Sequence, residues 1–495
     1  GVRVQRNSIS DMRPVVGMRG LGSFEQGRVL VLLDGVPLNK TDNGDVNWNG
    51  LSAAELERVE VLYGPGSAMY GSHAMGGVIN LISRRPAAGF DGSYRLEAGT
   101  DDLWATRFRV SHAQAAERGW WFALAGDYLD TNGHKGMSDY SRARLDAPAE
   151  AETSRYLTEW SITPRFGYRL DADHGFDFAY RHYDDLRSEG RRGDDDSSGE
   201  YRQFDTDWYR GRLYGGAGET DWEVTGYYQL EEYYKLYDRP RPRDNTDVNS
   251  DRRDLGLLSH LSWAPSANHQ TVAGIDYKHG SVDARDVDEP GPGYIENEGD
   301  VRFYGVYLQD TWFAAEVFEL NAGVRWDYVE FFDGATASDP NHLFADYIED
   351  NPIRDRDWDA WSPRLSVRYH FAEDLSTYVS YAHGFRAPEL DDLCRTGWQY
   401  VGPKIANPNL DPERIDTVEL GTDWRPTEDA KAGLSMFYSE GRDFLYYVDT
   451  GIPVASSGYW ATRDYQIKQN VSEVRIYGCE LTWRQFVGAA FDLHA

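Results

Sequence analysis

Residues 320–328 read LNAGVRWDY, and apolar and polar side chains alternate along them one by one. Residues 364–371, RLSVRYHF, alternate in the same way. Because successive side chains of a strand point to opposite faces, both segments are predicted to be strands with one apolar and one wet face. Arginine, serine and histidine share the wet face of the second segment, which favours a wide hydrated interior over the packed interior of a small barrel.

The connections between strands indicate the kind of sheet. Strands are predicted at 93–100, 103–113, 119–130, 156–169, 174–184, 203–216, 220–236, 252–263, 269–281, 301–313, 316–330, 361–371, 374–384, 415–426, 429–447, 471–486 and 488–495. After the first hairpin, short turns such as RLDADH and APSANH alternate with long loops. The long loops are predicted at 131–155, 185–202, 237–251, 282–300, 331–360, 385–414 and 448–470. Outer-membrane barrels combine short periplasmic turns with long extracellular loops, so we predict a transmembrane β-barrel. A soluble protein of several sheets is the alternative.

Composition agrees with a strand-rich chain. Its 495 residues include 33 tyrosines, 16 tryptophans and 49 glycines, and aromatic residues favour strands and interfaces. The net charge of -31 argues against a nucleic-acid partner. Two cysteines, Cys394 and Cys479, cannot form a disulfide scaffold, and we expect two free thiols. Since single-chain bacterial barrels close on an even number of strands, the count of about seventeen suggests an incomplete barrel. The abrupt start at GVRV and the end at FDLHA, in the middle of a strand, lead us to expect that both ends of a longer protein are absent.

The N-terminal residues 1–87 do not follow the barrel pattern and are predicted to form a separate domain, ahead of a barrel at 92–495. VLVLLDG (29–35) predicts a buried strand that enters a tight turn at Asp34 and Gly35. GGVINLIS (76–83) predicts a closing strand whose two glycines permit close backbone approach.

Several motifs resemble one family. DGVPL (34–38) and ERVEVLYGPGSAMYGSHAMGGVINLIS (57–83) resemble the plug domain of TonB-dependent outer-membrane receptors. GFRAPELDDL (384–393), NPNLDPERIDTVELG (407–421) and NVSEVRIYGCELTW (470–483) resemble barrel motifs of that family, in the right order. The resemblance implies an all-β membrane protein: a 22-stranded antiparallel transmembrane barrel, about 17 strands of it in this chain, with an α+β plug in its lumen. The residues that match the plug motifs are Asp34, Gly35, Arg58, Glu60, Gly64, Pro65, Gly66, Tyr70, Gly71, Gly76, Gly77 and Asn80.

The resemblance also implies a lock between plug and barrel. The family usually has an arginine immediately before the Gly-Pro of the plug motif, where this chain has Tyr63. The companion plug arginine is present as Arg19, and Glu419 and Glu480 match the barrel carboxylates. Both glutamates fall on the inward phase of their strands, so we expect Arg19 to pair with Glu419 or Glu480.

As for function, the resemblance implies energised import of a scarce, metal-containing nutrient through the outer membrane of a Gram-negative cell. TonB, with its inner-membrane energising complex, would pull on the plug, and the barrel would contact lipid and lipopolysaccharide as a monomer. The TonB box of the family lies at the extreme N-terminus and cannot be located in this chain. The sequence contains no GxSxG, CxxC or HExxH, so we expect neither an enzyme nor a required cofactor.

The cargo is predicted from loop residues, with a ferric siderophore placed first. Its candidate ligands are Arg187, Arg191, Arg192, Tyr201, Trp398 and Tyr400. A cobalamin receptor is the second hypothesis, because acidic loops, with Asp194, Asp195 and Asp196 as possible ligands, could bind calcium. Haem comes third: ELDDLCRTGWQYVGPKIA (389–406) lacks the loop histidine of haem receptors, which leaves His134 and His342. From other classes, a gated porin or adhesin and a barrel enzyme that uses His383 remain alternatives.

Overall fold

A computed structural model describes residues 2–5, 15–22, 27–135, 152–188, 190, 199–238, 245–289, 293–399, 402–453, 464–487 and 491–494. Within these ranges two units follow one another along the chain. The N-terminal unit, which we call the plug, ends with a strand at Ser83, and the large sheet begins at Gly89.

The plug is a small mixed unit around one buried strand. Its elements are β1 Val2–Gln5, β2 Val15–Met18, β3 Val29–Leu33, β4 Val36–Pro37, a 3-10 turn Ala53–Glu55, β5 Leu56–Tyr63, α1 Ser67–Tyr70 and β6 Gly77–Ser83. β1 pairs with β2, and the remaining strands form a sheet in the order β4-β3-β6-β5, with β3 and β6 parallel. β3 is buried throughout because its sequence VLVLL supplies apolar side chains to both faces.

Two glycine predictions for the plug are confirmed. Asp34 and Gly35 have φ of 50° and 83°, as the tight turn after β3 requires. At Gly77, a Cβ would lie 2.3 Å from the Met18 Sδ and 2.4 Å from the Leu62 carbonyl oxygen, so no larger residue fits without displacement of the backbone.

The rest of the chain is one large antiparallel sheet. Its strands are β7 Gly89–Ala98, β8 Trp104–Ala113, β9 Gly119–Thr131, β10 Leu157–Arg169, β11 Gly175–Ser188, β12 Tyr201–Ala217, β13 Thr220–Asp238, β14 Asn245–Ser266, β15 His269–Glu289, β16 Tyr294–Ala315, β17 Phe318–Ser338, β18 Arg356–Ala372, β19 Leu375–Arg386, β22 Glu413–Thr427, β23 Ala430–Pro453, β24 Asp464–Val487 and β25 Phe491–His494. The described residues thus hold seventeen barrel strands, the number predicted.

The long connections contain further elements. Helix α2, Ala345–Asp350, lies between β17 and β18. Between β19 and β22 lie α3 Leu390–Leu393, β20 Gly397–Gln399 and β21 Gly402–Ile405. β21 pairs in parallel with β24, which places this connection against the barrel wall. Among the described residues, no helix combines the length and the apolar character needed to cross a membrane.

Several predicted loops were wrong in extent. Residues 282–300, with DARDVDE at 283–289, belong mostly to β15 and β16, and 237–251 belong largely to β13 and β14. Strand pairing there extends to Asn245 opposite Glu289, because backbone hydrogen bonds do not need an apolar side-chain face. The predicted loop 331–360 likewise contains the end of β17, helix α2 and the start of β18, and 448–470 contains the end of β23 and the start of β24.

The two faces of the barrel wall have opposite chemistry. Along β11, Asp177, Arg181 and Asp185 are buried, while Phe176 and Phe178 are exposed. Apolar residues outside and charged residues inside are the arrangement of a strand that faces lipid on one side and a polar lumen on the other. The two cysteines are free, as predicted: Cys394 is buried and Cys479 is exposed.

Candidate functional site

The predicted lock residues lie together. Arg19 occupies the tip of a turn after β2, with a φ of 49°. Its Nη1 is 2.7 Å from the Glu419 Oε2, and its Nη2 is 3.2 Å from the Glu480 Oε2. The hydroxyls of Tyr378 and Ser435 donate to the other Glu419 oxygen, at 2.6 and 2.7 Å. Burial would lower the pKa of Arg19, but the two carboxylates outweigh it and raise the pKa.

Tyr63 contacts the single arginine of this cluster through its aromatic ring. The Arg19 Cζ lies 5.8 Å from the centre of the Tyr63 ring and 4.5 Å from that of Phe437. Aromatic faces attract a guanidinium group, so the tyrosine supports Arg19 at the position where the family usually places a second cation.

A second plug arginine is held more deeply. Arg28 is 4% exposed and donates to both oxygens of Glu413, from Nη2 at 2.6 Å and from Nε at 3.0 Å. Arg386 Nε donates to the same carboxylate at 2.8 Å, and the Leu445 amide donates at 2.7 Å. The side chains of Glu413 and Arg386 are fully buried. Sequence reasoning missed this cluster, although Arg386 and Glu413 stand inside the quoted GFRAP and NPNLDPER motifs.

A third cluster joins the plug to β13 and β14. Lys40 Nζ lies 2.6 Å from Glu231, and Arg252 lies 2.9 Å from both Glu231 and the plug residue Asp42. Burial lowers the pKa of Lys40, and Glu231 offsets this only in part. Burial likewise raises the pKa of Asp42 against the opposing effect of Arg252. No sequence motif marked these residues.

Further barrel arginines contact the plug. Arg210 Nη1 is 2.6 Å from Asp34, the motif residue that also accepts hydrogen bonds from the backbone and hydroxyl of Ser83. Arg181 is 2.9 Å from Glu55 in the 3-10 turn. Arg325 donates to the carbonyl oxygen of Met69 at 3.0 Å. The plug is therefore held to the barrel wall by charged contacts on several sides.

The connection between β19 and β22, which we call the inward loop (387–412), also contacts the plug. Its Leu390 and Asp391 amides donate to the Thr41 and Asp42 carbonyls, at 3.3 and 2.7 Å. The amide of Ala387 donates to the Ser72 hydroxyl at 3.1 Å. Burial would raise the pKa of Asp391, but Lys404 and Arg395 outweigh it and lower the pKa.

Other plug-motif residues shape the fold. Arg58 and Glu60 form an exposed ion pair at 2.8 Å. The Asn80 side chain accepts from the Gly35 amide at 3.2 Å and faces Glu60 at 3.5 Å.

Gly64 and Gly71 have positive φ, and the Gly66 and Gly76 amides donate to carbonyls of Ala74 and Arg28. Pro65 lies against Gly384 of the barrel, and Tyr70 packs on the apolar cluster around Leu30.

Three of the predicted cargo ligands, Arg187, Tyr201 and Trp398, lie among the described residues, each packed against protein side chains. Arg187 is not in a loop but in β11, where it is buried, donates to the Tyr183 hydroxyl at 2.8 Å and contacts Asp185. The ring of Tyr201 in β12 lies 5.5 Å from that of Tyr234. Trp398 is 8% exposed and packs edge-on against Phe344. Arg191, Arg192, Tyr400, Asp194, Asp195 and Asp196 lie outside the described residues.

The histidines considered for other functions are placed as follows. The His342 side chain is 4% exposed, and its Nε2 lies 3.0 Å from Asp288. His134 is exposed. His383 lies 2.9 Å from Asp416, which also accepts from Tyr381 and contacts Arg442. His342 and His383 are thus each in contact with a carboxylate.

Comparison with known families agrees with this architecture. Residues 156–494 match the family described as "TonB dependent receptor-like, beta-barrel", and residues 1–78 match the "TonB-dependent Receptor Plug Domain". The chain belongs to the TonB-dependent receptor family, a family of transport receptors, and is an outer-membrane protein.

Individual relatives are distant. An iron-regulated outer membrane virulence protein of Vibrio cholerae is 24% identical over 484 residues, which cover 94% of this chain and 66% of the relative. Among solved structures, the ferric yersiniabactin uptake receptor FyuA from Yersinia pestis superposes with a TM-score of 0.77 at 16% identity, over 100% of this chain and 73% of FyuA. The copper transporter OprC superposes with a TM-score of 0.76 at 18% identity, over 99% of this chain and 73% of OprC. The chain therefore spans about two thirds of the curated relative, and these structures show the fold alone.

Proposed function

We propose that this chain belongs to a receptor that imports a metal chelate in a TonB-dependent manner, with a ferric siderophore as cargo. The observation that carries the proposal is the set of charged contacts that holds the plug. Arg19, Arg28 and Lys40 each bury a positive charge against barrel carboxylates. Breaking buried ion pairs costs several kcal/mol, so opening the lumen requires work, as energised transport would supply and a passive pore would not.

Iron is the proposed metal of the cargo. A relative named as iron-regulated and a structurally similar ferric-chelate receptor favour iron. His342, one of the two histidines considered for haem, is buried against Asp288 and is not available as an axial ligand in this arrangement. Cobalamin with loop calcium stays the alternative, because the acidic residues predicted for it lie outside the described ranges.

Growth rescue tests the proposal. The complete receptor is expressed in a strain that lacks its own iron-chelate, haem and cobalamin receptors, and growth is measured on catecholate, hydroxamate and phenolate ferric chelates, on haem and on cobalamin. We expect rescue by one class of ferric chelate, and none in a matched strain without TonB. Rescue by haem or cobalamin alone would overturn the cargo, and rescue that persists without TonB would overturn energised import.

A further inference from the structure

Outward-facing carboxylates form a row across six adjacent barrel strands. They stand directly opposite one another in the strand register, in the order Asp184, Asp205, Glu232, Asp251, Asp283 and Glu298. Among the described residues, none of the six forms an ion pair with lysine or arginine. Like charges directly opposite on neighbouring strands destabilise a sheet, so bound cations would stabilise this row.

At one end of this row a histidine joins the carboxylates. His182 in β11 and Asp205 and Asp207 in β12 each offer a ligand atom, and these three atoms lie within 4.8 Å of one another. His182 Nδ1 is 3.1 Å from the Asp207 Oδ1 and 3.6 Å from the Asp205 Oδ1. Ligand atoms about 2.0–2.1 Å from a tetrahedral metal lie roughly 3.3 Å apart, so both separations suit one shared ion.

Neighbouring side chains hold these ligands in place. The Tyr180 hydroxyl donates to the Asp207 Oδ1 at 2.6 Å. The Trp160 ring centre lies 4.6 Å from that of His182 and limits rotation of the imidazole. Hydrogen-bonded and packed supports of this kind orient the ligands of known metal sites. The side chains of His182, Asp205 and Asp207 are 18%, 46% and 30% exposed, so an ion can reach them from outside.

We propose that His182, Asp205 and Asp207 bind one divalent transition-metal cation on the outer face of the barrel, with water in the remaining positions. An imidazole nitrogen with two carboxylate oxygens suits Zn²⁺ or Mn²⁺ better than Mg²⁺ or Ca²⁺, which prefer oxygen ligands alone. The ion neutralises the acidic end of the row, and its site lies on the opposite side of the wall from the plug contacts. It is therefore independent of the cargo and of the proposed function.

The test is direct metal binding by the complete receptor, purified in detergent without a polyhistidine tag and stripped with chelator. Zn²⁺, Mn²⁺, Mg²⁺ and Ca²⁺ are titrated separately by calorimetry, and bound metal is counted after dialysis. We expect one equivalent of Zn²⁺ or Mn²⁺ to bind, at least about tenfold more weakly in His182→Ala and in the isosteric double variant Asp205→Asn/Asp207→Asn.

His279 supplies the matched control. It lies 2.7 Å from Asp300 but belongs to no three-ligand group among the described residues. His279→Ala should therefore bind metal as the wild type does, and the heat-modifiable gel mobility of each variant verifies folding. An ordinary His182–Asp207 ion pair predicts no transition-metal binding by the wild type. That result, or equal losses in His182→Ala and His279→Ala, or binding of Mg²⁺ and Ca²⁺ alone, would overturn the proposal.

Discussion

Two plug arginines meet barrel carboxylates in different surroundings. Arg28 faces Glu413, which is 0% exposed, whereas Arg19 faces Glu419 and Glu480, which are 12% and 22% exposed. Water can replace a partner at a partly exposed ion pair, but a buried charge that loses its partner stays unsolvated. The Arg28 cluster therefore fixes the plug, while the Arg19 cluster can open at lower cost. The cluster whose ion pairs the sequence predicted, that of Arg19, is therefore expected to be the weaker of the two.

Removal of the shared carboxylate should have the largest effect. Glu413→Ala leaves both Arg28 and Arg386 without their common buried partner, and we expect a loss of about 3–5 kcal/mol in the free energy of unfolding. Denaturant unfolding in detergent measures it, and entry of a large antibiotic into cells reports a displaced plug. Glu480→Ala is the control at the partly exposed cluster and should lose far less. Equal losses in the two variants would remove the distinction between the clusters.

The Lys40 cluster tests whether burial, rather than a particular residue, determines the free energy lost when an ion pair is broken. Glu231→Gln leaves Lys40 and Arg252 facing a neutral amide, and we expect a loss of about 2–4 kcal/mol. Adding Lys40→Met removes one of the stranded charges, so the double variant should be less unstable than the sum of the single variants. A double-mutant cycle by denaturant unfolding measures this coupling. Strict additivity would show that the two side chains do not act as a pair.

The sequence allowed the fold to be predicted, but only part of the site, and the reasons are physical. Alternation such as that of residues 320–328 reports a strand between two different media, so the strand number and turn pattern were predictable. At the start of β14 and the end of β15 the outward side chains, such as Asp251 and Asp283, are polar, so the apolar outer face is lost and these ends were mistaken for loops.

The residues of the site were likewise predicted only where a sequence pattern marks them. Arg19, Glu419 and Glu480 were found through family motifs. Lys40 and Glu231 lie 191 residues apart and carry no local pattern that marks their contact. Arg187 was predicted as a loop residue because the strand was expected to end at residue 184, whereas β11 continues to Ser188 and Arg187 is buried in contact with Asp185.

Mutation of Arg19, in the partly exposed cluster, should reduce the free energy of unfolding by a moderate amount. Arg19→Ala removes charge-assisted hydrogen bonds to Glu419 and Glu480, and we expect a loss of about 1–2 kcal/mol, since water can solvate the two carboxylates. Denaturant unfolding at low and high salt measures it. The Arg19 contribution should shrink with salt, while that of Glu413 should not. A salt-independent Arg19 effect would mean that this cluster is as enclosed as that of Arg28.

Tyr63 should have the smallest effect and shows whether one arginine suffices. Tyr63→Phe keeps the ring 5.8 Å from Arg19 and should be neutral, while Tyr63→Ala should lose about 0.5–1 kcal/mol. Tyr63→Arg should add little to the wild type, because Arg19 already engages both carboxylates. In the Arg19→Ala background, however, it should restore part of the lost stability, since Glu419 and Glu480 have then lost their contacts with Arg19. Failure to rescue would show that the tyrosine position cannot reach these carboxylates, and that this chain depends on Arg19 alone.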